Sequence, residues 1–374
     1  MLPYGRQSID QSDVEAVVAA LGSDWLTTGP RVGQFEADIE AVVGAPCAVV
    51  TNGSTALHAA YAAARVGAGD EVITTPMTFV ATASGASMLG AAVVFADVEQ
   101  DTANIDPAAV EALVTERTKA ITTVDYAGHP AEYDALRTIA DRAGAVLIAD
   151  AAHAIGSSYR GRPVGTLADL TTLSFFPTKN LTTAEGGAVV STRPDLLQRV
   201  RDFRTVGSIR DESRLRHPDE GGWYYEVHEF GLNYRLPDVL CALGSSQLRR
   251  LAEFKTRRKH LTARYDDLLA DVPGLRLPTQ RDGVEPMRHL YPVRILDGRR
   301  REVYDRLRAA GIGVQVNYIP VYWHPVYRDL GYRRGMCPVA EAFYAEELSL
   351  PLFVDLGDDD QDRVVEALLD ILKN

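Results

Sequence analysis

From about residue 46 the chain sets short, unbroken apolar runs against stretches with helical spacing. The runs are "CAVV", "DEVITT", "AAVVFADV", "KAITTVDY", "AVLIAD" and "LTTLSFF", and "STALHAAYAAARVG" and "FVATASGASMLG" lie between them. Runs this short, without polar alternation, predict strands buried on both faces. Helices between them predict right-handed crossovers and a mostly parallel sheet. After about residue 237 the pattern changes. "DVLCALGSSQLRRLAEFKTRRKHLTARYDDLLADV" predicts a long helical stretch, broken or continuous. "LYPVRIL", "RREVYDRLRAAG", "GVQVNYI", "ELSLPLF" and "QDRVVEALLDILK" then make a second, smaller α/β unit. The expected division is an N-terminal segment and large domain over residues 1–240, then a long connecting helix and small C-terminal domain over 241–374. The charged, turn-rich "RDESRLRHPDEGG" (210–222) predicts an exposed loop.

Bulk properties narrow the function. A chain of 374 residues exceeds the usual single domain, which agrees with two. Its 46% hydrophobic and 24% charged residues are those of a globular protein. A net charge of −12 argues against a nucleic-acid polymer as partner. No apolar run reaches membrane-spanning length, and "MLPYGRQSID" lacks a signal-peptide core, so the expectation is a cytoplasmic protein without a membrane partner. Cys47, Cys241 and Cys337 are odd in number and far apart, which predicts small buried thiols rather than disulfides or a zinc ribbon. The eight histidines form no HExxH and no close ligand pair, so no metal is expected.

Charge usage picks out one residue. Of 39 Lys and Arg only five are lysine (Lys119, Lys179, Lys255, Lys259 and Lys373), and Lys179 falls inside "SFFPTKNLTTAEGGAVV". Ligands of open parallel sheets bind beyond the carboxyl ends of the strands, and several features fall there. In "VVTNGSTALHAA" a strand yields to Gly53, Ser54 and Thr55 at a helix start, which suits either a phosphate or an ordinary cap. It is neither a Walker A nor a GxGxxG motif. Asp150 ends "AVLIAD", and His153 follows three residues on. A carboxylate after five apolar residues either caps a helix or meets a cationic or donor partner. Ser174 lies at the end of the run in "TLSF", just before Phe175, Lys179 is five residues after Ser174, and Phe79 lies in the loop after "VITTP". One ligand accounts for all of them, pyridoxal phosphate. Its phosphate needs a cradle, its ring nitrogen a carboxylate, its flat ring an aromatic face, and its aldehyde an amine that can lose a proton, which arginine cannot do.

These segments, with "SDWLTTGPRVGQFE", "GDEVITTPMTFVATAS", "NIDP", "DAAHAIGSSYRGRPVG", "GLNYRLPDVLCALGSSQL" and "SLPLF", resemble the DegT-type sugar aminotransferases of the fold-type I pyridoxal-phosphate enzymes over nearly the whole chain. "VDYAGHP", "WYYEVHEFGLNYRL" and "VNYIPVYWHPVY" are most similar to the pseudaminic acid pathway transaminases. Those enzymes aminate carbon 4 of a UDP-linked 4-keto-6-deoxyhexose with glutamate as donor. The resemblance implies an α/β fold-type I transferase in which Lys179 carries the cofactor, Asp150 pairs with its ring nitrogen and His153 lies near its phenolic oxygen. It implies that Gly53, Ser54 and Ser174 hold the phosphate and Phe79 covers the ring. Asn233 of "GLNYR" matches an asparagine that reaches the phosphate of the neighbouring subunit, so a homodimer with shared sites is expected. Thr28 and Gly29 of "LTTGP", Glu185 and Tyr318 match positions lining the substrate cavity, and Arg235 is a candidate for the anionic parts of the substrates.

Two positions depart from the family pattern. Val206 in "FRTVGS" and Asn317 in "VNYIP" stand where histidine is common, which puts the sugar in question. The alternatives are a different keto-sugar or a keto-cyclitol of a secondary-metabolite pathway, a sugar dehydratase, or a non-catalytic sensor. Dehydratases of this family commonly have histidine where this chain has Lys179. A nicotinamide oxidoreductase lacks support because the glycine fingerprint is absent.

Overall fold

Side chains along seven strands alternate between two apolar layers, and this alternation places the strand ends. The structure is a computed structural model and describes residues 1–373. Strands β1 (Cys47–Val50), β2 (Glu71–Thr74), β3 (Ala92–Phe95), β4 (Thr118–Val124), β5 (Val146–Asp150), β6 (Leu170–Ser174) and β7 (Gly187–Val190) form one sheet in the order β1-β7-β6-β5-β4-β2-β3. Strands β2 to β6 run parallel. β7 runs antiparallel to both β6 and β1, so β1 shares the direction of the rest. The α/β character and the mostly parallel sheet are as the sequence pattern predicts. β7, which opens at Gly187, is not among the strands that the pattern predicts.

Val49, Ile73, Ile121, Leu147 and Leu173 face one layer, with Phe35 and Ile39. Val50, Val72, Ala120, Ile148 and Val189 face the other, with Leu57 and Tyr61. Each such side chain contributes ~1.5–3 kcal/mol by leaving water. The first layer rests on helix α2 (Pro30–Val43), and α1 (Gln11–Leu21) packs instead against the helix Asp238–Arg249. In α2 the buried residues Phe35, Ile39 and Val43 recur every four positions, a single stripe facing the sheet. The second layer contains α3 (Gly53–Ala63) and α4 (Ala81–Met88).

The long helical stretch is divided at Arg250 into α5 (Asp238–Arg249) and α6 (Leu251–Leu269). Beyond it β8 (Leu275–Arg276), β9 (Tyr291–Ile295) and β10 (Glu347–Leu350) form an antiparallel sheet in the order β8-β9-β10. Val293, Ile295, Leu348 and Leu350 share a core with Leu261 and Tyr265 of α6 and with Val364 and Leu368. Leu2 joins this core, and Tyr4 accepts the N–H of Leu352, so the chain start lies on the C-terminal unit. "GVQVNYI" adds only one bridge, Gln315 to Ser349, and then leaves the sheet. All three cysteines are buried and free. Among the described residues no helix is long and apolar enough to cross a membrane.

Candidate active site

Adjacent parallel strands end side by side, so β5 delivers Asp150 and β6 delivers Ser174 to one edge of the sheet. Asp150 is 5% exposed, and no ion pair among the described residues includes it. Thr82 on α4 donates its hydroxyl to Oδ2 at 2.6 Å, and the Ala152 N–H donates to Oδ1 at 3.2 Å. Burial raises the Asp150 pKa; these two donors and the charge of Lys179 pull it down. Lys179 lies on the loop between β6 and β7, half-buried, with its N–H donated to Phe176. Loss of water around its ammonium brings its pKa from 10.5 to about 8, and Asp150 opposes that fall.

His153 is buried behind this pair. The Ala127 N–H donates to its Nδ1 at 3.3 Å, so Nδ1 carries no proton. Burial and the charge of Lys179 hold the ring neutral. The one ring proton therefore sits on Nε2, which faces the Tyr318 hydroxyl at 3.0 Å. That leaves the Tyr318 proton for another acceptor. The His289 ring lies 4.5 Å from His153, centroid to centroid, and its Nδ1 is buried without a partner. Asn180, next to Lys179, donates its amide to the carbonyls of His153 and Met287, both at 3.0 Å. The lysine loop is thereby fastened to the turn that follows Asp150.

At the start of α3, Asn52 and Thr55 cap each other, with the Thr55 N–H donated to Asn52 Oδ1 at 2.9 Å. The N–H groups of Gly53 and Ser54 have no protein acceptor among the described residues. A Cβ on Gly53 would stand 2.8 Å from Ser174 Cβ, so only glycine lets the helix start reach the end of β6. A Cβ on Gly187 would stand 2.5 Å from the Asn52 carbonyl oxygen, which explains the glycine that opens β7. The start of α3 at Gly53 thus abuts Ser174 at the end of β6, the strand from which the Lys179 loop departs.

Phe79 is 57% exposed, with its ring centroid 6.4 Å from that of Tyr318 and the two ring planes at 61°. Thr28 is exposed, and Gly29 donates its N–H to buried Asp238 at 2.7 Å, which ties the 26–30 loop to α5. Glu185 and Asn233 are exposed, and no hydrogen bond joins the Asn233 side chain to Gly53, Ser54 or Ser174 of its own chain. Arg235 has a buried Nε without a partner. Asn317 is buried, and its side-chain amide donates to Ser349 at 2.9 Å, so this departure from the family pattern serves packing between segments. Val206 is exposed at φ +57°, beside Leu232. The sequence reading missed Thr82, Asn180, Asp238 and His289. Only Asn180 carried a signal, its place beside Lys179.

The donor set fits pyridoxal phosphate. The free N–H groups and hydroxyls at the start of α3 suit its phosphate, Asp150 suits a protonated ring nitrogen, and Lys179 supplies an amine near neutrality.

Comparison with known proteins agrees. A family model described as the DegT/DnrJ/EryC1/StrS aminotransferase family matches residues 7–369. The spore coat polysaccharide biosynthesis protein SpsC of Bacillus subtilis is 39% identical over 379 residues, 100% of this chain and 97% of its own. The UDP-4-amino-4,6-dideoxy-N-acetyl-beta-L-altrosamine transaminase of Campylobacter jejuni is 38% identical over 382 residues, covering 100% of this chain and 98% of that one. Among solved structures, the sugar aminotransferase Spr1654 of Streptococcus pneumoniae in its PMP-form superposes with a TM-score of 0.94 at 30% identity, covering 100% of this chain and 99% of the other. The chain belongs to the DegT/DnrJ/EryC1/StrS aminotransferase family and is a pyridoxal-phosphate-dependent aminotransferase.

Proposed function

We propose that this enzyme transfers an amino group from glutamate to carbon 4 of a UDP-linked 4-keto-6-deoxyhexose. The observation that carries the reaction is the Lys179 amine, held near neutrality beside buried Asp150. The similarity to the Campylobacter jejuni transaminase supports the sugar. Bound pyridoxal phosphate supplies an aldehyde and an electron-withdrawing ring. Lys179 holds it, then as a free amine takes the proton from the donor α-carbon and later returns one to carbon 4 of the sugar. Asp150, aligned by Thr82, keeps a positive charge at the ring nitrogen favourable. Neutral His153 donates its Nε2 proton to the Tyr318 hydroxyl, which leaves the Tyr318 proton for an oxygen in the cavity. Phe79 covers one face of the site, and Gly53, Ser54 and Ser174 hold the phosphate. Thr28, Gly29, Glu185 and Tyr318 border the sugar, and Arg235 offers a cation to anionic groups.

A spectrum tests this. The holoenzyme's visible band should fall with glutamate and return with the UDP-linked 4-keto-sugar. A band that ignores glutamate argues against the donor, and one restored only by other keto-sugars or keto-cyclitols argues against the acceptor.

The site is completed by a second copy. Asn233 is exposed in a region that also exposes Trp223 and Phe230, at 79% and 98%. In a closed dimer each Asn233 serves the partner's phosphate. Lys179→Ala mixed with Asn233→Trp should regain about a quarter of wild-type activity after subunit exchange, because half the dimers are mixed and each has one intact site. Demonstrated exchange without recovery defeats the shared site.

A further inference from the structure

Glu347, at the first position of β10, is 0% exposed, and no ion pair among the described residues includes it. A buried carboxyl group without a cation costs stability, whereas an apolar side chain of similar volume would fill the same space without that cost. What Glu347 supplies instead is a set of acceptors. The Asn317 N–H donates to Oε2 at 2.6 Å, and the Ser349 hydroxyl donates to Oε1 at 2.6 Å. Ser349 also accepts from the Asn317 side chain at 2.9 Å, and the Tyr126 hydroxyl donates to the Asn317 carbonyl. The backbone N–H, the carbonyl and the side-chain amide N–H of Asn317 are therefore each engaged by something other than a sheet ladder.

The chain needs this because it has just left the sheet. Gln315 exchanges both backbone hydrogen bonds with Ser349, and two residues later the ladder is gone. The next residue, Tyr318, carries the hydroxyl that meets His153 Nε2 at 3.0 Å, with the two rings inclined at 22°. The direction in which Tyr318 leaves Asn317 decides whether that contact exists.

We propose that Glu347 is a positioning residue of the active site, which fixes Tyr318 against His153 by anchoring the backbone of Asn317. The C-terminal unit thereby aligns an imidazole that belongs to the large sheet. The inference rests on the reading of His153 and Tyr318 as site residues.

The test reads the contact itself. In the full-length protein with ¹⁵N-labelled histidine, the Nε2 proton of His153, assigned by its loss in His153→Gln, should exchange slowly with water. Tyr318→Phe and Glu347→Ala should each speed that exchange about tenfold, the equivalent of one lost hydrogen bond. Glu347→Gln, which keeps an acceptor for Asn317, should stay within about twofold of wild type. Adding Glu347→Ala to Tyr318→Phe should change nothing more, because one residue acts through the other. Wild-type exchange in Glu347→Ala, or multiplied effects in the double variant, overturns the proposal. If Glu347→Ala does not fold, Ser349→Ala replaces it; faster exchange in Ser349→Ala supports the proposal and unchanged exchange overturns it. Pyridoxal phosphate uptake, followed by absorbance on the same proteins, separates the two claims. Failure of the wild type to bind it defeats the reading of the site, while the exchange comparison still decides the role of Glu347.

Discussion

Lys179→Arg leaves a folded protein with no measurable transamination, and Lys179→Ala does the same. The expected loss is on the order of 10⁴-fold, because the amine both holds the cofactor and moves the proton. Arginine keeps the positive charge, but its guanidinium does not give up a proton near neutrality. The cofactor-free wild type offers a second measurement. An amine-reactive reagent should label Lys179 with a midpoint near pH 8, where its pKa lies, well below the 10.5 of an ordinary lysine. The sign follows from burial, which disfavours the ammonium. Reactivity therefore rises with pH and is complete before an exposed lysine begins to react. With only five lysines in the chain, the labelled peptide is easily identified. Labelling that starts only near the ordinary value, or transamination by Lys179→Arg, would remove Lys179 from its role.

Asp150→Asn has the second largest expected effect, a loss of about 100-fold in turnover, comparable to removing one strong electrostatic stabiliser. Asparagine keeps an oxygen for the Thr82 hydroxyl and fits the same space, so cofactor affinity should change much less than turnover. The substitution also removes the one charge that opposes the fall of the Lys179 pKa. The labelling midpoint of Lys179 should therefore move below pH 8, toward easier deprotonation. Near-normal turnover, or a midpoint that rises, would show that the carboxylate acts elsewhere.

Sequence legibility followed physical locality. Six strands were readable because residues such as Val49, Ile73 and Leu147 are apolar on two faces, a property of neighbours in sequence. β7 was not, because its opening Gly187 answers to Asn52, far away in the chain. Lys179 and Asp150 were readable because their chemistry demands particular residue types at strand ends. Asp238 is a different case. It accepts N–H groups from Gly29 and Arg31, more than 200 positions away, and nothing beside it in the chain indicates this. Thr82, His289 and Glu347 are polar residues whose roles are tertiary contacts and leave no period. Asn317 was flagged as a departure with a consequence for the sugar, yet its side chain is engaged by Ser349.

The antiparallel course of β7 also bears on how the lysine moves. Ser174 at the end of β6 lies opposite Gly187 at the start of β7, and Phe175 donates to Gly186 while Thr183 donates to Phe175. The segment bearing Lys179 is thus a hairpin tip whose two feet stand on neighbouring rails, about 4.8 Å apart. Such a tip cannot slide along the sheet or swing outward without breaking both feet at once. The travel of the amine between its partners then falls to the four methylene groups of one side chain. The backbone acts as a fixed pivot, and the catalytic stroke is no longer than a lysine's reach.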